Sequence, residues 1–412
     1  MMNRLTLVGA FVRRQPLAWG FQALTLALGV AVLTALLTLD AGLSGRFQRD
    51  LAGIDLVVGA KGSPLQIILS SVFQLDQPTG NIPLSTLDTL SGNRLVKLVV
   101  PLSLGDNVEG FRIVGTSARY GELYDASFAA GGWWSAPMQA VIGAEAERRL
   151  KLKIGDVFIG DHGLAPGGEA HKDTPYRVVG LLAPTGATID RLVLTDTASV
   201  WKVHERENLE HEEALAAGQP IDPNDVDHSP DGRQITALLI RYRSPMAALM
   251  LPRLIASMPD LQAANPAMET EHLMALLGTG GTVLRAFGLG LLGLSALGFF
   301  VALYGAVSQR RRELALLRSL GGSPALLFSL VAIEGMALGL TGGVAGLLLG
   351  RAAALGVTLV SAQNGGPSLP LPDIGVLELA VVCGALALSL LASLAPAVIA
   401  YRTRPATLLR AA

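Results

Sequence analysis

The chain has 412 residues, of which 50% are apolar and only 16% charged, whereas a soluble protein carries about a quarter charged residues. A formal net charge of -1 excludes general attraction to nucleic acid. The single cysteine, Cys383, lies in an apolar run and excludes a disulfide framework. The charge deficit is uneven: long apolar runs sit toward both ends, and the middle has the composition of a soluble domain. That split is the mark of a membrane protein.

Residues 1–16 form a basic segment with Arg13 and Arg14, followed by an apolar run from Leu17 to Leu39. About 20 apolar residues cross a bilayer, so 17–39 is expected as transmembrane helix 1. The competing reading is a cleavable signal peptide with Ala41 as its small residue. Against it, a signal core of about 7–15 residues is shorter than this run, and the downstream spans need a cytoplasmic N-terminus to balance.

Residues 40–282 read as one large mixed α+β extracytoplasmic domain. A short strand at Asp55–Ala60 and a turn at Lys61–Pro64 precede Leu65, Ile68, Leu69 and Val72 at helical spacing. That helix faces either a core or a lipidic substrate near the membrane. Strands are expected at Leu95–Leu104, Phe111–Gly115, Val157–Ile159, Tyr176–Leu182, Arg191–Leu194 and Ile235–Tyr242, with helices at Ala144–Leu150 and Pro245–Ser257. Residues 201–233 are acidic and hold three histidines. As a helix, this segment puts His204, Glu207 and His211 on one face, a spacing at which imidazoles and a carboxylate share a divalent metal. A solvated acidic helix and loop is the plainer reading. His162 and His171 occupy another Gly-rich loop.

Further spans are expected at 283–307, 326–361 and 375–400, joined by a cytoplasmic loop 308–325 and a short external loop 362–374, with 401–412 at the C-terminus. Segments 1–16, 308–323 and 400–412 hold ten Arg and one acidic residue, and 362–374 has no Lys or Arg. The positive-inside rule therefore places both termini and 308–325 in the cytoplasm, as for a bacterial inner-membrane protein. Small residues recur four apart as Gly335, Gly339 and Gly343, and in a second register as Gly342, Gly346 and Gly350. They predict close helix contacts, or reflect the general tolerance of membrane helices for glycine. Glu334 is costly inside a span. Arg318 and Arg351 lie several turns away, so its contact is expected elsewhere, as a structural polar contact or a substrate or proton site.

The loop reads Ser308-Gln309-Arg310-Arg311-Arg312-Glu313-Leu314-Ala315-Leu316-Leu317-Arg318-Ser319-Leu320-Gly321-Gly322. Leu314, Leu317 and Leu320 form an apolar stripe beside the arginines, and the glycines end the helix. Such a helix docks on a partner or on anionic headgroups. The loop, the ending Pro396-Ala397…Tyr401-Arg402…Pro405-Ala406-Thr407-Leu408-Leu409-Arg410, and the segments Val141-Ile142-Gly143 to Leu152-Lys153-Ile154-Gly155-Asp156 and Arg177–Leu182 resemble the FtsX-like, MacB/LolC type of ABC transporter permease. The resemblance implies a coupling helix from Arg310, Arg311, Arg312, Glu313, Leu314, Leu317, Arg318, Leu320 and Gly321, docking on a separate ABC ATPase. Glu313 would then sit near a basic residue of that subunit. It also implies a second permease copy, the lipid bilayer and a periplasmic accessory or substrate-binding protein as partners.

The function expected on this basis is a permease that transmits ATP-driven motion to its outer domain and moves or extracts a hydrophobic or envelope substrate. Alternatives are a regulator activating a periplasmic hydrolase, or a metal- or ligand-responsive sensor. No G-x-x-x-x-G-K-[ST], H-E-x-x-H or G-x-S-x-G occurs. The chain is thus expected to be no enzyme and to hold no cofactor beyond the candidate divalent metal, with ATP and Mg on the partner.

Overall fold

The computed structural model describes residues 16–163, 170–203, 233–309, 323–363 and 371–401, with single positions at 9, 13, 319 and 321. The chain divides into two compact units, 1–44 with 277–412, and 45–276.

The first unit is helical. Four of the described helices have the length and apolar composition to cross a membrane: α1 (Pro16–Asp50), and three helices late in the chain. In chain order, the elements between them are β1 (Leu56–Ala60), α2 (Pro64–Ser71), β2 (Ile82–Pro83), α3 (Ser85–Ser91), β3 (Val96–Val108), β4 (Phe111–Thr116), α4 (Tyr120–Leu123) and β5 (Phe128–Gly131). Then come β6 (Gln139–Ile142), α5 (Ala144–Leu150), β7 (Val157–Phe158), β8 (Asp161–His162), β9 (Tyr176–Leu182), β10 (Val193–Asp196), β11 (Gln234–Ile235), β12 (Ala237–Tyr242), α6 (Pro245–Ala256) and β13 (Leu261–Ala264). The last three helices are α7 (Pro266–Gln309), α8 (Pro324–Gln363) and α9 (Val376–Tyr401).

The helices extend past the expected spans. α1 has 35 residues and α7 has 44, whereas a bilayer core needs about 20. The extra turns are polar or Gly-rich sequence that hydropathy does not flag: Asp40, Arg46, Arg49 and Asp50 in α1, and 266–282 in α7. The helical unit is held by Leu26, Val30, Leu33, Leu292, Phe299, Leu303, Leu327, Val331, Leu338, Ala385 and Ala397. Val283, Phe287, Leu294, Leu348, Val376 and Leu377 stay exposed in this unit, as side chains facing lipid do.

The second unit is built on an eleven-stranded sheet in the order β13-β1-β12-β3-β4-β10-β6-β9-β5, with β7 added on β9 and β8 on β3. Pairing is antiparallel except β10 with β4 and β6 with β9. Alternation along the strands feeds cores on both faces. Val57, Val100 and Leu239 join one cluster, with Ile67, Ile68, Val72 and Phe73 from α2 and the residues after it. Leu56, Val58, Val99, Leu238 and Ile240 join another, with Leu90 of α3 and Ala247, Leu251 and Ile255 of α6. Ser63 caps α2, its hydroxyl accepting from Gln66 N, and Pro64 takes the first turn. The apolar face of α2 is therefore core. A third cluster, around Ile113, Ile142, Tyr176, Val178 and Val193, fills the far end of the sheet. One sheet runs through the unit.

Candidate functional site

Within the helical unit, the two glycine registers of α8 face different helices. A Cβ on Gly335 would stand 2.8 Å from Ser393 Cβ, and one on Gly339 3.0 Å from Ser389 Cβ, both on α9; Gly343 meets Val382 at 3.2 Å. On the other register, a Cβ on Gly342 would stand 2.9 Å from Leu26, one on Gly346 2.5 Å from Val30 Cβ, and one on Gly350 2.6 Å from Ala31 O, all on α1. α8 is thus the middle helix, and its missing side chains are what let backbones approach from two sides.

A polar knot closes the same three helices. Glu378, 4% exposed, accepts from Arg351 Nη1 at 2.9 Å and from Gly375 N at 3.3 Å, and the Thr38 hydroxyl lies against its other oxygen. Arg351 Nη2 also donates to Pro372 O at 2.6 Å. This one cluster joins α1, α8 and α9. Glu334 is half-buried in α8.

In the sheet unit, the last turns of α1 are fastened to the segment before β10. Asp190 accepts from Thr185 N at 2.9 Å and Gly186 N at 2.7 Å, and from the Thr185 hydroxyl. This folds 185–190 into a tight loop whose Gly186 needs φ +73°. The loop then offers two groups to α1: Gly186 O accepts from Arg49 Nε at 3.0 Å, and Thr188 N donates to Asp50 Oδ1 at 2.6 Å. Arg46 Nε stands 3.5 Å from Asp50 Oδ2, both side chains buried. Tyr124 OH donates to Asp50 O at 3.3 Å. Burial, reinforced by the neighbouring Tyr120, pushes the Tyr124 phenol well above its usual range, so it remains a donor. Phe47 packs edge-on against Phe73 with ring centroids 4.7 Å apart. The end of α1 is thereby built into the domain core.

A second polar group lies at the side of β3. The pairing of β3 with β4 shifts register between Leu104 and Asp106, a bulge that re-aims a side chain. Opposite it, β8 sets His162 across from Asp106. Asn107, fully buried, donates to Gly163 O at 3.0 Å and accepts from Gly110 N at 2.9 Å, while Gly163 N donates to Gly105 O at 2.7 Å. His171 N donates to Gly160 O at 3.0 Å, bringing a third side chain in. His171 Nε2 then lies 3.3 Å and His162 Nδ1 4.0 Å from Asp106 Oδ1. The two histidines were visible in the sequence as a loop pair. Asp106 was not, because only the register of β8 on β3 brings it to them.

The expected metal trio His204, Glu207 and His211 lies outside the described residues, as do Arg310, Arg311, Arg312, Glu313, Leu314, Leu317, Arg318 and Leu320 of the coupling segment. Gly321 is described, with φ +94°, and Ser323 caps α8 by accepting from Leu326 N at 3.2 Å.

Residues 22–235 match the family model of the MacB-like periplasmic core domain, and residues 285–405 that of the FtsX-like permease C-terminal domain. The chain is a membrane protein of the permease class and belongs to the MacB/FtsX-like ABC transporter permease family. Among solved structures, the periplasmic region of MacB from Actinobacillus actinomycetemcomitans is 12% identical, covers 55% of this chain and 95% of its own, and has a TM-score of 0.35. The extracellular domain of the noncanonic ABC-type transporter YknZ from Gram-positive bacteria is 14% identical, covers 52% and 99%, and has a TM-score of 0.28. No curated protein matches the chain.

Proposed function

We propose that the chain is the transmembrane subunit of an ABC transporter whose ATPase is a separate polypeptide, and that it transmits ATP-driven motion to its 40–282 domain on the extracytoplasmic side. The observation that carries this reading is α1, one helix of 35 residues whose last turns are locked by Arg46, Arg49 and Asp50 into the domain. At about 1.5 Å per residue it is near 50 Å long, more than the ~30 Å hydrocarbon core. A displacement at its cytoplasmic end is thus delivered to the 185–190 loop through hydrogen bonds and a buried ion pair. The amphipathic segment 310–321, with the charge and stripe of a docking helix, is where the ATPase pushes. Two copies of the chain would complete the transporter, with a periplasmic accessory protein where the substrate needs one. A hydrophobic or envelope substrate fits a machine whose moving domain works on the outer side of the membrane.

The test is association. A tagged chain purified in detergent from native membranes should retain an ABC ATPase, and Glu313→Arg with Leu317→Arg should lose it and its ATP turnover at least tenfold while still inserting. Unchanged association and turnover in the double variant would remove the docking helix from the mechanism.

A further inference from the structure

We propose that Asp106, His162 and His171 form a site for a divalent transition metal of the zinc class, with three protein ligands and a fourth position open. One oxygen and two imidazole nitrogens, one from each residue, all lie within 4.8 Å of one another. Around a tetrahedral ion with bonds of about 2.0–2.2 Å, ligand atoms stand roughly 3.3–3.6 Å apart. The Asp106–His171 separation of 3.3 Å already has that value. The Asp106–His162 separation of 4.0 Å closes by a small rotation of the His162 ring, whose side chain is 52% exposed.

The donor set selects the ion. Two imidazoles and one carboxylate suit zinc and its neighbours in the transition series, whereas magnesium and calcium take oxygen ligands. The rings of His162 and His171 stand edge to face, 77° apart with centroids at 5.7 Å, so they approach Asp106 from different directions. Asp106 is 1% exposed and sits on a strand, while its two partners come from a short strand and a turn pinned to β3 by Asn107 and Gly163. That combination of a rigid floor and an adjustable wall favours binding of an ion, since only one ligand has to move. On the buried side, the Tyr176 hydroxyl has no hydrogen-bond partner among the described residues. With three protein ligands, the ion keeps one position for water or for a donor atom of an arriving molecule.

The probe is cobalt(II) and zinc added to the full-length chain in detergent. The wild-type chain should bind one cobalt per chain with visible d–d absorbance, displaced by zinc. His162→Ala, His171→Ala and Asp106→Asn should each weaken binding at least tenfold. Asp106 is buried and His171 half-buried, and their variants are open to misfolding, so His162→Ala on the exposed wall is the deciding one, checked by an unchanged circular dichroism spectrum. His204→Ala with His211→Ala should leave binding intact. Equal affinity in wild type and His162→Ala, no cobalt absorbance in the wild type, or loss only in the His204/His211 variant would each overturn the site. Metal binding here requires nothing of an ATPase partner, so failure of either test leaves the other standing.

Discussion

Glu378 sits where an ionised carboxylate is expensive, and each of its neighbours lowers that cost. Arg351, Gly375 N and Thr38 satisfy both its oxygens, and 4% exposure leaves water little part in the balance. Removing one partner of such a pair strands the other, at about 3–5 kcal/mol. Glu378→Ala should therefore lower the thermal unfolding midpoint of the detergent-solubilised chain sharply. Glu378→Gln, which still accepts from Thr38, should lower it less. Replacing both ions by Met should recover much of the loss, because apolar groups of similar volume leave no charge behind. A Glu378→Ala chain melting with the wild type would show that the knot contributes nothing. The sequence set Arg351 several turns from Glu334, and no spacing linked Arg351 to Glu378. Residues 27 apart on two helices meet only when the loop between them turns, and Pro372, which also accepts from Arg351, makes that turn part of the contact.

At the scale of elements, hydropathy and alternation carried far. Runs such as Tyr176–Leu182 and Phe111–Gly115 are strands β9 and β4 within a residue or so at their ends, because both faces of the sheet are buried and every second residue reports on one face. Helix ends were less legible. The last turn of α1 continues past the apolar run because Arg49 and Asp50 meet the 185–190 loop, a contact with no local signature. The glycine pattern of α8 was visible, but which helix each register meets depends on packing alone. Gly346 and Gly384 make the comparison. An added Cβ at Gly346 would stand 2.5 Å from Val30 Cβ and 2.6 Å from Ala27 O, while at Gly384 it meets nothing within 4 Å. Gly346→Ala should thus push α1 from α8 and destabilise the helical unit by about 1–3 kcal/mol, the usual overpacking cost. Gly384→Ala should be neutral or gain up to about 1 kcal/mol of helix propensity. Paired thermal melts in the same detergent decide it: equal shifts in the two variants would mean that the close approach is slack.

For the whole molecule, the four long apolar helices and the soluble-type unit between the first and second of them leave two orientations, and charge chooses. With ten Arg and one acidic residue in segments 1–16, 308–323 and 400–412, and no Lys or Arg in 362–374, the positive-inside rule predicts cytoplasmic termini and a cytoplasmic 308–325 loop. An even number of crossings agrees with termini on one side. The mixed charge of 40–282 has no vote, since long loops translocate regardless of charge. Cys383 is the chain's sole cysteine, so a Cys383→Ser background accepts single reporters at Ser229→Cys and Ser323→Cys. In intact cells a membrane-impermeant maleimide should label the cysteine at 229, and the one at 323 should react only after permeabilisation. Both chains must first insert to the wild-type level, since a misplaced chain labels without meaning. Labelling of both positions from the same side would break the four-span topology, and labelling of 323 alone from outside would invert it. Labelling of 323 from outside in either case would move the arginine-rich loop away from any cytoplasmic ATPase and take the proposed coupling with it.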